Sequence, residues 1–227
     1  KDVSIDIRRG ETVGIVGESG SGKSTVARCV ARLIDPTAGE IAIDGADYAR
    51  LPERSLRDHR KRMQIVFQDP YRSLNPRRTV AQSMIEAPVN FGMSQAEALS
   101  RAGELMDLVH LPRQSLDRFP HQFSGGQRQR ICIARALMPQ PEVLIADEAV
   151  SALDVSVQAQ VLKLFDEVRE KFALALLFIT HDLRVAAQIC DRIVVMQKGA
   201  VVEQGVTKEI FAAPKHPYTQ ALFAAAP

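Results

Sequence analysis

Residues 17–24, Gly17-Glu18-Ser19-Gly20-Ser21-Gly22-Lys23-Ser24, have the spacing G-x-x-x-x-G-K-[ST], with Thr25 following. The glycines let the backbone curl so that several N–H groups face one point. Lys23 brings a mobile positive charge to the β- and γ-phosphates, and Ser24 offers a hydroxyl to Mg²⁺. An apolar run, 12–16, precedes the stretch and a helical pattern follows it, the context a phosphate cradle demands. A glycine-rich turn with no ligand lacks a reason for Lys23 and Ser24 at these positions.

Three further strand ends deliver polar groups. The run 143–146 ends in Asp147-Glu148; Asp147 suits Mg²⁺, and Glu148 suits orienting or polarising a water. Neighbours in an extended chain point to opposite sides, so the two acids are expected to divide these roles. Gln68 follows the run 63–67, and His181 follows 174–179 and Thr180. A glutamine can touch Mg²⁺ or water, and a histidine can donate to a γ-phosphate oxygen. Each of these residues alone reads as an ordinary loop residue. Together they point to a nucleoside triphosphate. A second anion-type feature, Ser124-Gly125-Gly126-Gln127, opens a helix far from the first.

The elements that must position these groups follow from the hydrophobic pattern. Residues 3–7 alternate and turn at Arg9-Gly10-Glu11, which predicts a hairpin leading into the buried strand 12–16. A helix is predicted over 25–34, with Val26, Val30 and Leu33 on one face. A strand is predicted over 40–44, closed by Asp44-Gly45. A basic helix over 56–62, a strand over 63–67 and a proline-bounded loop over 69–76 come next. Helical patterns dominate 79–109, with a capping box at Ser94-Gln95-Ala96-Glu97, and another helix covers 126–138. Then follow a strand at 143–146, a helix over 156–171, a strand over 174–179, a strand pair at 193–196 and 200–203, and a terminal helix over 218–225. Strands alternating with helices imply an α/β fold with a mostly parallel, buried sheet, into which a helical block, 79–139, is inserted.

Bulk properties bound the function. The 227 residues, 46% hydrophobic and 25% charged, suit one domain with an inserted subdomain. A net charge of +2 gives no overall attraction to nucleic acid. Arg50, Arg54, Arg57, Arg60, Lys61, Arg62, Arg72, Arg77 and Arg78 cluster against only Glu53, Asp58 and Asp69. This reads as a solvated helix face, or else as a contact for an acidic partner or lipid headgroups. Cys29, Cys132 and Cys190 lack metal-type spacing and read as buried thiols. The longest apolar run, 172–179, is too short to span a bilayer. The chain begins at Lys1, which suggests a trimmed N-terminus or a piece of a longer protein.

GESGSGKS, Gln68 in FQDP, FSGGQ, LIADE, SALD and His181 in THD stand in the order found in ATP-binding cassette (ABC) ATPases, so the chain resembles that family over nearly its whole length. The resemblance implies a P-loop (RecA-like) core with a small antiparallel β-subdomain, formed by 1–78 and 140–227. It implies an inserted helical subdomain, 79–139, that carries the signature motif. It further implies ATP as substrate, Mg²⁺ held by Ser24, Gln68 and Asp147, and catalysis by Glu148, His181 and Gln68. Ser124, Gly125, Gly126 and Gln127 would contact the γ-phosphate held by a second ABC ATPase domain, in a homodimer or a heterodimer. Ser151, Ala152, Leu153 and Asp154 would form the loop that crosses the dimer axis.

FQDPYRSLNPRRTV, 67–80, and HPYTQALFAAAP, 216–227, are similar to the ATPase subunits of oligopeptide and dipeptide importers. That likeness implies a peripheral position on the cytoplasmic face of the inner membrane, transmembrane permease partners and, indirectly, an extracytoplasmic solute-binding protein. Nickel or glutathione as cargo stays open, as does a soluble ABC-type ATPase of DNA repair or translation. Two features depart from the family pattern. Ala149-Val150 replaces the usual Pro-Thr or Pro-Val after the catalytic glutamate. No aromatic precedes Tyr48 to stack on adenine, which suggests an excised domain, one half of a tandem protein.

Overall fold

Apolar runs without alternation belong inside a sheet that is covered on both faces. In the computed structural model, which describes residues 2–225, five such runs lie side by side. The strand β1 (Thr12–Val16) is buried at every position. It leads through the glycine-rich loop into helix α1 (Lys23–Val30). Two short strands, β2 (Ala42–Ile43) and β3 (Ala46–Asp47), pair with each other. Helix α2 (Leu56–Arg62) feeds β4 (Met63–Val66). A helical block follows: α3 (Pro70–Ser73), α4 (Val80–Asn90), α5 (Gln95–Leu108) and α6 (Gly125–Leu137). The chain then returns to the sheet with β5 (Val143–Asp147), α7 (Val155–Phe172), β6 (Ala175–Ile179), α8 (Leu183–Ile189), β7 (Arg192–Gln197) and β8 (Ala200–Val206). It closes with α9 (Thr207–Ala212) and α10 (Pro217–Ala224).

The sheet order is β4-β5-β6-β1-β7-β8, parallel except for the edge strand β8. Because β1, β4, β5, β6 and β7 share one direction, their C-terminal ends lie along one edge. The chain leaves β1 for the far edge at β4, works inward through β5 and β6, and then crosses to β7 on the other side of β1. The carboxyl edge beside β1 is therefore a topological switch point, where open α/β sheets bind ligands. Phe165 of α7 meets Phe178 of β6 edge to face at 5.6 Å, inside the larger of two apolar cores.

Each start of α4, α5 and α6 is fixed by a reciprocal capping box: Thr79 with Gln82, Ser94 with Glu97, and Ser124 with Gln127. The Ser94 box is the one expected from sequence. Arg101 of α5 donates to the carbonyls of Leu137 and Met138, which satisfies the end of α6.

Several expectations need correction. Residues 3–7 form no hairpin; Val3, Ile5 and Ile7 keep the predicted alternation and pack on the smaller core without joining a ladder. The strand expected over 40–44 shrinks to β2, although Asp44 (φ 51°) and Gly45 (φ 77°) do make its turn. The helix expected over 25–34 ends at Val30. Arg32 adopts φ 50° while its guanidinium donates to the carbonyls of Tyr48 and Leu51, and Leu33 is left 52% exposed instead of on the buried face. The loop expected over 69–76 contains α3, because Asp69 caps the N–H groups of Tyr71 and Arg72 and Pro70 sits at the first helical position. The terminal phrase 216–227 ends in Ala226 and Pro227, which lie outside the described residues, as does Lys1.

Much of the basic cluster finds partners in its own chain. Arg60 pairs with Glu53, Arg62 with Asp44 and Glu142, Arg72 with Asp69, and Arg78 with Glu86, while Arg57 donates to the carbonyl of Asn90. Cys132 and Cys190 are buried free thiols and Cys29 is half-buried. Burial pushes the Cys132 thiol up to about 11.

The two glycines at the start of α6 differ in the space around them. A Cβ on Gly126 would lie 2.3 Å from Val157 Cγ1 of α7, whereas one on Gly125 would meet only Leu153 Cδ2, at 3.9 Å. Gly126→Ala should therefore destabilise the protein by about 1–3 kcal/mol, the ordinary cost of overpacking. Gly125→Ala should stay near the parent. Thermal unfolding of the two variants checks this directly.

Candidate functional site

The carboxyl edge of the sheet collects the chemistry. Gly17 leaves β1 at φ 150°, and a Cβ there would lie 2.3 Å from the Met196 carbonyl of β7, so only glycine fits. Glu18, Ser19 and Gly20 face solvent, while Ser21 is buried. The Ser21 carbonyl accepts from Gly199 N–H in the β7–β8 turn at 2.9 Å. Gly22 caps α1 with φ 104° and without any side-chain cap, so the first-turn N–H groups, which include those of Ser24 and Thr25, have no intrahelical or side-chain partner. Such a helix start attracts anions. The Ser21 hydroxyl is also buried without a partner, a further polar group suited to a ligand.

Lys23 is 4% exposed. Its ammonium donates to the carbonyls of Gly17 and Glu18, both at 2.8 Å, so it is folded back under the loop it belongs to. Burial lowers its pKa, while the Glu148 and Asp147 carboxylates work in the opposite direction. Ser24 Oγ donates to Asp147 Oδ1 at 2.9 Å, joining the first turn of α1 to the end of β5 across 123 positions of sequence. Burial raises the Asp147 pKa, and the Ser24 hydrogen bond opposes that shift. Ser24 and Asp147 thus present two hard oxygen donors side by side, the ligand type that Mg²⁺ takes.

Glu148 is where the chain leaves the strand. It takes φ 50°, and its N–H donates to the Ile179 carbonyl of β6 at 3.0 Å. Asp147 and Glu148 therefore diverge through a left-handed turn and not through strand alternation. The following Ala149 and Val150 are buried at 1% exposure. The Ser151 N–H and hydroxyl both donate to the Glu148 carbonyl, closing the turn without a proline. His181 Nδ1 stands 3.5 Å from Glu148 Oε1. Thr180 holds the base of this loop: its N–H donates to the Ile15 carbonyl of β1, and its hydroxyl accepts from Asp182 N–H.

The remaining predicted residues are distributed around this cluster, Ser151 bonded to the Glu148 carbonyl and Gln68 following the strand paired with β5. Gln68 is exposed beyond β4. Ser124 and Gln127 are exposed and bond to each other, and among the described residues neither they nor Gly125 or Gly126 bonds to the loop 17–24. Leu153 is half-buried, while Ser151, Ala152 and Asp154 are exposed, and Asp154 caps α7 through Val157 N–H. Val155, next in sequence, is 83% exposed. Tyr48 is 2% exposed, stacks on His59 at 5.2 Å and donates its hydroxyl to the Val30 carbonyl, so it is committed to the core and offers no face to a base.

Sequence reasoning missed two groups. Gln129 of α6 is fully buried and donates to the Phe67 carbonyl just before Gln68, which ties the helical block to that strand end. Tyr218 accepts at its hydroxyl from Glu18 N–H in the phosphate loop, at 3.1 Å. A buried glutamine in an otherwise apolar helix face signals the first. No local pattern signals the second, which joins residues 200 positions apart.

Comparison with known proteins gives a consistent answer. The ABC transporter family profile matches residues 1–151, and that of the oligopeptide/dipeptide transporter C-terminal region matches residues 202–227. The chain is 50% identical over 228 residues to the oligopeptide transport ATP-binding protein AppF of Bacillus subtilis, covering 99% of this chain and 69% of AppF. It is 48% identical over 227 residues to the dipeptide transport ATP-binding protein DppF of Escherichia coli, covering 99% and 68%. Among solved structures, cbiO1 from Clostridium perfringens, part of the ABC transporter complex cbiONQ, superposes with a TM-score of 0.84 at 30% identity, covering 93% of this chain and 83% of that one. The ATP-binding cassette MJ0796, in a dimeric post-hydrolysis state bound to ADP and Pi, gives 0.81 at 32% identity, covering 91% and 90%. With its family profile, its long relatives and its fold in agreement, this chain belongs to the ABC transporter family as an ATPase.

Proposed function

We propose that the protein hydrolyses ATP to power the import of peptides, as the nucleotide-binding partner of membrane-embedded permease subunits. The observation that carries the ATPase part is the Ser24–Asp147 hydrogen bond beside the buried Lys23, because it gathers the phosphate-binding and metal-binding groups at one point. The observation that carries the cargo is the match of 202–227 to the oligopeptide/dipeptide transporter C-terminal region. Among the described residues no helix is long and apolar enough to cross a membrane.

In this reading the N–H groups of 17–25 cradle the triphosphate, and Lys23 swings from the Gly17 and Glu18 carbonyls to its β- and γ-oxygens. Ser24 and Asp147, with Gln68, would hold Mg²⁺, which would supply charge neutralisation to the phosphates. Glu148 orients the attacking water and draws on its proton, and His181, already beside Glu148, donates to the γ-phosphate. Ser124, Gly125, Gly126 and Gln127 serve the nucleotide of a second cassette, which accounts for their distance from their own loop. The exposed Ser151–Asp154 loop and Val155 pack at that dimer axis, and burying Val155 there removes an apolar side chain from water. Residues 1–78 and 140–227 make the core, and 79–139 make the arm that presents the signature.

Glu148→Gln should bind ATP, lose about 10²- to 10⁴-fold in hydrolysis and accumulate as an ATP-bound dimer. Phosphate release and solution mass measure both effects, and unimpaired turnover would remove Glu148 from this role.

Asp147 gives a stability test with a definite sign. Its raised pKa means that the folded protein holds the proton more tightly than the unfolded chain does. Its ionised form therefore costs stability as pH rises through and above the ordinary carboxylate range. Asp147→Asn should raise the melting temperature of the ligand-free protein at neutral pH and make it less dependent on pH, while hydrolysis is lost. A lower melting temperature would contradict the burial argument.

For the cargo, a strain lacking this protein should fail to accumulate labelled di- or oligopeptides and should keep its nickel and glutathione uptake. The reverse pattern would overturn the peptide assignment.

A further inference from the structure

The loop 17–24 needs outside support, because its own sequence gives it little. Glu18 and Ser19 lie between Gly17 and Gly20, both in conformations with φ above zero (150° and 80°), so the segment between them has soft joints at each end. Its outer face is exposed to solvent. Besides the Lys23 and Ser24 bonds already described, two contacts from the last third of the chain brace it. On one side Gly199 of the β7–β8 turn donates to the Ser21 carbonyl. On the other, Glu18 N–H donates to the Tyr218 hydroxyl at 3.1 Å.

Tyr218 is itself held in place. The Glu203 carboxylate of β8 accepts from the Lys215 and His216 N–H groups at 2.9 and 3.0 Å, which fastens the turn before α10 to the sheet. His216 Nδ1 then caps α10 by accepting from Tyr218 N–H at 3.1 Å. The Phe211 and Phe223 rings, 4.6 Å apart, join α9 to α10, and the Tyr218 ring packs on the larger core. An ordered chain of contacts thus runs from β8 through Glu203 and His216 to Tyr218, and ends on Glu18. The Glu18 carbonyl, in turn, is one of the two that hold the Lys23 ammonium.

We propose that Tyr218 is a positioning residue for nucleotide binding, its hydroxyl bracing Glu18 so that the C-terminal helix sets the geometry of the phosphate loop and the release of Lys23. The inference rests on the reading that residues 17–24 hold the triphosphate. With the hydroxyl removed, water replaces it on the Glu18 N–H, so the loss comes from a less ordered loop that must be fixed when nucleotide binds. Such a loss appears in affinity, not in the chemical step.

The test is Tyr218→Phe in the full protein, which keeps the ring and its packing. Expected are a rise of about three- to ten-fold in both the Kd and the KM for MgATP, the size of one modest hydrogen bond, with kcat within two-fold of the parent and an unchanged melting temperature. Glu203→Ala, which releases the turn, should give a similar rise in KM. The double variant should be no worse than Glu203→Ala alone, since both changes act through one contact. Parent values of Kd and KM for Tyr218→Phe would overturn the brace, as would additive effects in the double variant. Lys23→Ala separates the levels of the argument. If it abolishes binding while Tyr218→Phe leaves affinity intact, only the brace fails. If Lys23→Ala itself leaves affinity intact, the loop assignment beneath the brace fails with it.

Discussion

The hydrogen bond from Ser24 to Asp147 is the constraint around which the molecule is arranged. Ser24 opens the helix that follows β1 and Asp147 ends β5, two strands that are not neighbours, because β6 lies between them. For Ser24 to reach Asp147, the loop after β1 must bend across the end of β6 and start α1 over the sheet. That path needs Gly17 where Met196 crowds the backbone, and Gly22 at φ 104° where the helix begins. It also needs the ends of β1, β5 and β6 to be level, and the parallel registers Ile15↔Ile179 and Asp147↔Ile179 provide this. The buried, unalternating strands on either side exist to keep those ends in line.

Holding these groups together has an energetic cost that the rest of the fold must offset. Lys23 and Asp147 are both nearly excluded from water, and burial disfavours the charged form of each. The ammonium is compensated by two carbonyls and by nearby carboxylates, and the carboxylate by one hydroxyl. The Ser21 hydroxyl has no compensation within the chain. On the proposed reading a polyanion and a cation arriving together would supply partners to all three groups at once. Stability given up at such a site is the usual counterpart of preorganised binding.

Much of this was legible in the sequence, and for physical reasons. The loop 17–24, the acids at 147–148, Gln68 and His181 each follow an apolar run, and a run of that kind inside a parallel sheet can end only at the ligand edge. Where neighbouring sequence decided the outcome, the reading held: α2 matches its predicted bounds, and the Ser94–Glu97 box formed. Where a distant contact decided it, the reading did not hold. Arg32 ended α1 early by reaching the carbonyls around residues 48 and 51. Residues 3–7 had the right alternation but no strand to pair with. Glu148 owes its direction to β6, through its bond to Ile179, and not to the pleat of its own strand. Tyr218 falls in the terminal helix that the pattern predicts, and its bond to Glu18 spans nearly the whole chain.

The same distinction explains why the helix beginning at Ser124 looks like a second phosphate site and yet contacts no part of the first. Its capping box satisfies the Ser124 and Gln127 N–H groups internally. Gly126 is consumed by close packing on Val157, which fixes α6 against α7 and so against the Asp154 cap. What remains is the half-buried Gly125, with room up to Leu153 Cδ2, beside the exposed Ser124 and the 151–154 loop. Close packing of α6 on α7, with the Arg130–Gln160 hydrogen bond beside it, thus brings two motifs separated in sequence onto one face. Such a face, with Val155 exposed alongside, is suited to a preformed, charged edge from outside the chain. On the proposed reading that edge is the loaded phosphate loop of a second cassette.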